Sequence, residues 1–569
     1  MKIVPLLLGF SAVLGTCLQT VYGAASPQEW KRLGESLQGR LHPAIPLSAP
    51  CFSVVNGRNV QRSESACREV QQGYTKPDFR FTAASARMNP QWETCMSTSE
   101  GCLLDSLNPN NSAAWAGRDC KQGSVPPYFI EVNDPRDVQK AFEFAKKTGT
   151  YLSIKASGHD YKGRSSMPGS LSLWTAKLRS MSYSKTFTPE GGNKAYAAVT
   201  IGAGAITEDI YKFADENNVT FIGGYAQTIS ASGGWVQGGG HSVLSPVYGL
   251  GVDRVLQFKI VTPDGEYRTA NQFKNQDLYW ALRGGGGGTF GVVLESTMSV
   301  EPAMSIRVAS ISVPSNTENA QRFLSLTINE TYKWNQEGWG GHMTSVSLIN
   351  VNPRLTLKEA RESVKTITDF ALANNGTSVV EDLPSWQAFF QKYVLSAQAV
   401  VGQPIILGTR LMPTELLKND SGKNQVLNFI YTALTKYRTE PYIILGAPTL
   451  YNYTEGTTSV TPAWRTASFQ LGGSVKYPWN STVSDIKRIY REVTERVQLS
   501  RVIAPNSGAY TNEGDLYEPD HEKAFWGDNY PKLLKIKKKY DPEGLLDCWH
   551  CVGSRGPTDP RFSCYLTLL

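Results

Sequence analysis

Ser153-Ile-Lys-Ala-Ser-Gly-His159-Asp-Tyr-Lys-Gly-Arg-Ser-Ser166 is the stretch on which the reading of this chain turns. An apolar, strand-like run from Gly149 to Ile154 leads into it. Three small residues follow, Ala156, Ser157 and Gly158, and then an imidazole. Such a turn exposes backbone N–H groups to a phosphate or pyrophosphate. His159 comes next, where a bound ligand can be reached. Taken locally, it reads equally well as a turn histidine hydrogen-bonded to a neighbour.

Around this turn the pattern is one of strands, helices and glycine bends. Pro127 to Val132 is strand-like, and Asp137 to Thr148 has helical spacing with Val138, Ala141, Phe142 and Ala145 on one side. Strands are expected at Tyr196–Ile201, Thr220–Ile222, Arg254–Thr262 and Val292–Met298, with a helix over Ala205–Asn217 and a turn at Pro263-Asp-Gly265. This suits an α+β nucleotide-binding region over 121–304. Residues 305–510 read as a second α+β domain. Its expected strands are Ser305–Val313, Gly340–Asn350, Gln403–Leu411 and Thr466–Leu471. Its expected helices are Asn319–Thr331, Leu357–Ala373, Ser385–Lys392 and Ser484–Val497. Residues 511–569 form a C-terminal segment with a helix over Glu522–Tyr540. Residues 24–120 are rich in Cys, Ser, Gly, Asn and Pro; they suggest a helix over Trp30–Leu41, an extended run at Tyr74–Phe81 and otherwise stapled loop.

The first 23 residues combine a short basic start, an apolar run and small residues, the pattern of a secretory signal peptide. A membrane anchor is the alternative, but the run is short for a span. Nine cysteines are present. Cys17 lies in the leader, and the eight beyond it suggest disulfides of an exported protein. Zinc at Cys548-x-x-Cys551 is the weaker reading, because no second pair stands nearby. Sequons at Asn110, Asn218, Asn329, Asn375, Asn419, Asn452 and Asn480 accord with export and N-linked glycans. The formal net charge is +7 and scattered. No basic and aromatic stripe argues for nucleic acid, and no clustered histidine motif argues for a metal.

A second chemical signal is glycine. Gly223, Gly224, Gly233, Gly234 and Gly238 to Gly240 permit close backbone approach and φ values barred to other residues. No Gly-x-Gly-x-x-Gly follows a first strand, and no Gly-Lys-Ser/Thr follows Gly284–Gly288, so neither a Rossmann fingerprint nor a Walker loop is present. The run Gly284–Gly288 is expected to let two strands turn tightly.

Four separated blocks carry a resemblance. They are Lys155-Ala-Ser-Gly-His159-Asp-Tyr-x-Gly163; Gly233-Gly-Trp-Val-Gln-Gly-Gly-Gly-His241; Asp277 to Gly291; and Tyr510-x-Asn-Glu513 leading to Phe525-Trp-Gly-x-Asn529-Tyr530. In this the chain resembles the flavin-dependent oxidases of the vanillyl-alcohol oxidase superfamily, with their PCMH-type FAD-binding domain. Its likeness is to the berberine-bridge-enzyme-like branch and its secreted fungal members.

The resemblance implies a two-lobed FAD-binding domain, closed by the C-terminal segment, and a substrate domain with an antiparallel sheet covered by helices. It implies a covalent bond between His159 and the flavin 8α-methyl group. The second, cysteinyl link of many relatives would fall near Ala226, where this chain has no cysteine; a single link is expected. Cofactor contacts are expected from Lys155, Ala156, Ser157, Gly158, Asp160, Tyr161, Gly163, Gly223, Gly224, Gly233, Gly238, Gly239, Val292, Asn529 and Tyr530. Thr228 and Ser232 are expected to add hydroxyl donors at the pyrophosphate. His241 is placed either at the flavin edge or in a hydrogen bond within its own loop.

Oxidising a C–H beside oxygen requires loss of the hydroxyl proton as hydride leaves. Tyr510, activated by a neighbour, and Glu513 are the candidate bases, with Gln470 as a polar pocket residue. Relatives often carry a second tyrosine where Glu513 stands. The expected partners are a small-molecule substrate and O₂, with the protein a monomer outside the cell. The alternatives are a flavin dehydrogenase that uses oxygen poorly, or a flavin-binding protein without turnover.

Overall fold

Three larger sheets, of four, five and seven strands, carry most of the described residues, beside two small ones of two and three strands, and a cavity lies where the larger sheets meet. The structure, a computed structural model, describes residues 25–397 and 400–568. The expected signal segment and Cys17 lie outside the described residues.

The first sheet has four strands in the order Leu41–Pro43, Tyr128–Glu131, Leu171–Trp174, Leu152–Lys155. Its last three strands run parallel. The helix Pro135–Thr148 links two of them. Asp134 and Asp137 form a reciprocal capping box at its start, and Gly149 closes it in the left-handed conformation. Strand Leu152–Lys155 is an edge strand, and it delivers the chain into the 156–159 turn.

A second sheet of five strands is antiparallel throughout, in the order Tyr267–Asn271, Val255–Val261, Val292–Ser299, Tyr196–Gly202, Met181–Phe187. A third sheet of seven antiparallel strands follows the order Thr377–Leu383, Ile306–Ser312, Ser347–Asn352, Gly340–Met343, Pro441–Leu445, Ala467–Lys476, Ile405–Pro413. One face of the seven-stranded sheet is apolar: Ile311, Met343, Ile443, Phe469 and Leu471 are buried with Phe323, Leu324 and Ile328 of helix Thr317–Glu337 and Val426 and Ile430 of helix Asp420–Thr435.

Several elements depart from the sequence reading for identifiable reasons. The first helix is Pro27–Ser36, not 30–41, because Ser26 and Glu29 cap it early and residues 41–43 pair with strand Tyr128–Glu131. Residues 74–81 are not extended; Pro77 opens a short helix, Pro77–Phe81, its fixed φ already helical. The run 340–350 is two strands of a hairpin, closed where Thr344 Oγ1 accepts the Ser347 N–H at 3.0 Å. The helix over 357–373 breaks at Val364, and that over 522–540 breaks at Gly527–Asn529. The glycine run 284–288 joins helix Gln276–Leu282 to strand Val292–Ser299, rather than two strands. Strands Met181–Phe187, Tyr267–Asn271, Thr377–Leu383 and Pro441–Leu445 and helix Asp420–Thr435 were not anticipated.

All eight cysteines of the described residues are paired, as Cys51–Cys67, Cys95–Cys564, Cys102–Cys120 and Cys548–Cys551. The second of these ties the N-terminal segment to the last turn of the chain. No described helix is long and apolar enough to cross a membrane.

Candidate active site

After Lys155 the chain turns at once. Gly158 takes φ +86°, a left-handed conformation, and a Cβ there would meet the Lys155 side chain at 3.0 Å. Asp160 holds the turn shut: its two carboxylate oxygens accept the N–H groups of Lys162 at 3.0 Å and Ser165 at 2.6 Å. Among the described residues, the N–H groups of 157–159 donate to no backbone carbonyl. They are therefore available to an anionic ligand.

The turn forms one wall of a cavity of about 360 Å³. Ala156, Ser157, Gly158, His159, Asp160 and Tyr161 line that wall. Gly224, Tyr225, Ala226, Gly233, Gly234, Trp235 and His241 line a second, with Gly287, Gly288 and Gly291 beside them. His342, Tyr442, Tyr510, Asn512 and Glu513 complete it. Burial pushes the His159 imidazole down to about 4, so it is neutral at neutral pH. Its Nε2 lies 2.7 Å from Thr228 Oγ1.

The seven-stranded sheet supplies the polar end of the cavity by strand alternation. His342 is paired opposite Ile444, and Ile444 opposite Gln470. Tyr442 is two residues from Ile444. Paired residues and residues two apart share a face, so His342, Tyr442 and Gln470 all stand opposite the helix-covered face. Glu513 arrives from a separate segment, pinned where Gly514 bridges Thr409 and the Thr409 hydroxyl donates to the Glu513 carbonyl at 2.8 Å.

Its carboxylate is held from two sides. One oxygen is 3.1 Å from His241 Nε2, and the other accepts from the Gln470 amide. Burial pushes the Glu513 carboxyl up. The His241 imidazole and its hydrogen bond, with the Gln470 amide, outweigh that and hold it below the ordinary carboxylate value. Burial, then the nearby Glu513 charge, drives the Tyr442 and Tyr161 phenols up.

The Tyr510 hydroxyl is differently placed. It donates to the Trp235 carbonyl at 3.1 Å and accepts from Asn512 Nδ2 at 2.7 Å. Burial, with Glu513 adding to it, keeps this phenol protonated. Asn512 Nδ2 also donates to the Gly234 carbonyl at 2.8 Å. A Cβ at Gly238 would come within 2.7 Å of that amide, so the close approach of the two segments requires glycine.

The remaining anticipated residues sit outside the cavity lining. Lys155 is buried beneath it, and its Nζ donates to the Ala83 carbonyl at 2.9 Å. Gly163 packs against Trp92, Gly223 against Tyr211, and Gly239 near Val460 and Tyr510. The Ser232 hydroxyl bonds the Ile201 carbonyl and Ser296 within the protein, and Ser232 does not line the cavity. The Thr228 hydroxyl meets His159, and Thr228 does not line the cavity. Val292 lies in the core between the lining residues Gly291 and Val293. Asn529 donates to the Val460 carbonyl at 2.8 Å, and the Tyr530 hydroxyl accepts the Gly553 N–H at 3.3 Å. His241 keeps a bond within its own loop, its carbonyl accepting from Trp235 Nε1 at 3.1 Å, while its imidazole lines the cavity and spans to Glu513. Tyr225, His342 and Tyr442 were not singled out from sequence. A tyrosine in the apolar run Pro441-Tyr-Ile-Ile-Leu445 was the available signal.

A family model described as FAD binding domain matches residues 126–271, and one described as berberine and berberine like matches residues 509–548. The FAD-linked oxidoreductase ffsJ of Aspergillus flavipes is 42% identical over 578 residues, covering 95% of this chain and 94% of the relative. The chain belongs to the FAD-linked oxidoreductase family. It stands in the berberine-bridge-enzyme-like branch of the vanillyl-alcohol oxidase superfamily. The FAD-linked oxidoreductase cheF of Chaetomium globosum is 40% identical, over 97% of this chain and 91% of the relative. The VAO-type flavoprotein MtVAO615 of Myceliophthora thermophila superposes with a TM-score of 0.82 at 25% identity, covering 95% of this chain and 97% of that one. The cavity fits the cofactor of an FAD-linked oxidoreductase. It offers a turn of unpaired N–H groups and side-chain-free walls at Gly233, Gly234 and Gly287. Its lining also carries three buried polar atoms without a partner among the described residues, Ser165 Oγ, Ser230 Oγ and His342 Nε2. An enclosed site with few convergent polar groups is the usual form of a cofactor cavity.

Proposed function

We propose that this chain is an exported oxidase with FAD bonded once, to His159. It takes hydride from a C–H centre of an alcohol, carbohydrate or secondary metabolite and yields H₂O₂ from O₂. The observation that carries the reading is the Glu513 carboxylate, set in the same cavity as His159 and clamped between His241 and Gln470. When bound, FAD accepts the hydride and passes the electrons to dioxygen.

The chain's own residues handle the proton. The Glu513 carboxylate accepts the hydroxyl proton of the substrate as its carbon loses hydride, leaving a carbonyl product. His241 and Gln470 hold the carboxylate in one orientation. Tyr510 is the weaker base, because its phenol stays protonated and donates a hydrogen bond to the Trp235 carbonyl. The turn 157–159 binds the pyrophosphate through its N–H groups. Ala226 stands in the cavity wall near the position of the cysteinyl link of doubly bonded relatives, which supports a single link.

Export is supported by the full pairing of the described cysteines and by the exposure of all seven sequon asparagines. The test is a panel of alcohols, sugars and phenolic alcohols, scored anaerobically for flavin bleaching and aerobically for peroxide. Bleaching with matching peroxide is expected for at least one compound. Bleaching without peroxide would make the protein a dehydrogenase. A flavin that no compound bleaches would favour a binding protein.

A further inference from the structure

We propose that Thr228 is a positioning residue for flavin attachment to His159: its hydroxyl holds the imidazole as the Nε2–H tautomer and leaves Nδ1 free to bond the flavin 8α carbon. The Thr228 hydroxyl accepts a hydrogen bond from Nε2–H before that bond forms and donates one to Nε2 after it. This rests on the reading of His159 as the attachment residue.

The geometry is specific. A neutral imidazole carries one N–H and one lone pair, and the hydrogen bond at one nitrogen decides which is which. His159 Nε2 is 2.7 Å from Thr228 Oγ1. Thr228 is fully buried and does not line the cavity, so the Nε2 edge of the ring faces protein. Nδ1 has no hydrogen-bond partner among the described residues. Thr228 cannot drift from this position. The Thr207 hydroxyl donates to the carbonyls of Ala226 and Gln227, at 2.6 and 2.7 Å, and the Thr207 N–H donates to the Ile229 carbonyl at 3.0 Å. The neighbouring residues are thus tied to the start of helix Thr207–Glu216. Burial keeps the imidazole neutral, so no doubly protonated form competes.

The balance of attachment shows why a hydroxyl is suited. One C–H bond of the 8α-methyl group and the Nε2–H bond break, and one Nδ1–C bond forms. Two electrons and two protons pass to the flavin ring and leave with dioxygen as hydrogen peroxide. Nε2–H is a donor before the reaction, and Nε2 is an acceptor after it. A hydroxyl is both donor and acceptor and rotates to serve each state. A carbonyl or a methyl group at that place would serve one or neither. Thr228 is therefore a positioning residue for cofactor attachment.

The test compares the wild type, Thr228→Val and Thr228→Ser, each isolated with flavin. The fraction of flavin that stays with the polypeptide after denaturation is followed with time. The linked nitrogen is assigned by NMR on the wild-type flavin peptide. The wild type and Thr228→Ser are expected to attach alike, through Nδ1. Thr228→Val is expected to bind flavin and attach it about tenfold more slowly, as a buried N–H left without an acceptor would. Attachment of Thr228→Val at the wild-type rate, or a link through Nε2, overturns the proposal. Should Thr228→Val not fold, the linked nitrogen and the Thr228→Ser rate decide. A wild type that releases all its flavin on denaturation removes the attachment reading itself and is told apart from these results at once.

Discussion

Glu513 is buried, yet its carboxyl is held below the ordinary value by His241 and Gln470. A base must be ionised to accept a proton. A lowered value keeps Glu513 ionised through neutral and mildly acidic pH, and its function is lost as pH falls through that lowered value. Substrate-driven flavin reduction is therefore expected to stay level across neutral pH and to fall only in acid, which stopped-flow traces over a pH series would show. Glu513→Gln removes the base and keeps the shape; reduction should slow by about a hundredfold or more with flavin still bound. An unchanged reduction rate would move the role elsewhere. Tyr510→Phe is a contrasting change. It deletes a donor to the buried Trp235 carbonyl, and should cost about 1–3 kcal/mol of stability while leaving the reduction rate within a few-fold. His159→Ala should leave no flavin on the denatured polypeptide, as read by intact mass.

Elements place these residues. The turn after strand Leu152–Lys155 was legible, because small residues followed by a histidine have a meaning independent of distant contacts. The helix Pro135–Thr148 was legible too, from its apolar spacing. The strand Pro441–Leu445 was not. It is five residues long and nearly all apolar, and such a run does not announce its period. Its alternation matters chemically, since Tyr442 faces the cavity while Ile443 packs under the helices. The contact of residues 234–238 with Asn512 is a joint between elements. Gly238→Ala would press a methyl group into the Asn512 amide, at a cost of about 1–3 kcal/mol. A lower denaturant midpoint, and partial relief by Asn512→Ala in the same background, are the expected results.

At the scale of the molecule, the N-terminal segment is woven into the rest. Its strand Leu41–Pro43 completes the first sheet, and its Cys95 is joined to Cys564 across 469 residues of sequence. A cross-link over so long a loop restricts the unfolded chain strongly. Replacing both cysteines by serine should lower stability by about 2–4 kcal/mol, seen as a lower denaturant midpoint with cavity chemistry retained. The reading of 24–120 as stapled loop agrees with these bridges, but which cysteines pair, and that residues 41–43 join the first sheet, was not legible, because neither disulfide pairing nor sheet membership can be read from spacing.

By itself the sequence determined the flavin-oxidase family, the His159 turn, the glycine block and the pairing-ready cysteines beyond the leader. Each is a local pattern whose chemistry is carried by adjacent residues. Only the tertiary structure decided that Glu513, His241 and Gln470 form one cluster, that His342 and Tyr442 face the same cavity, and that the Thr228 hydroxyl lies against His159. Those residues come from strands and loops scattered between positions 228 and 513. Their meeting depends on sheet order, strand register and a single bridge at Gly514, which are set by the packing of the whole chain.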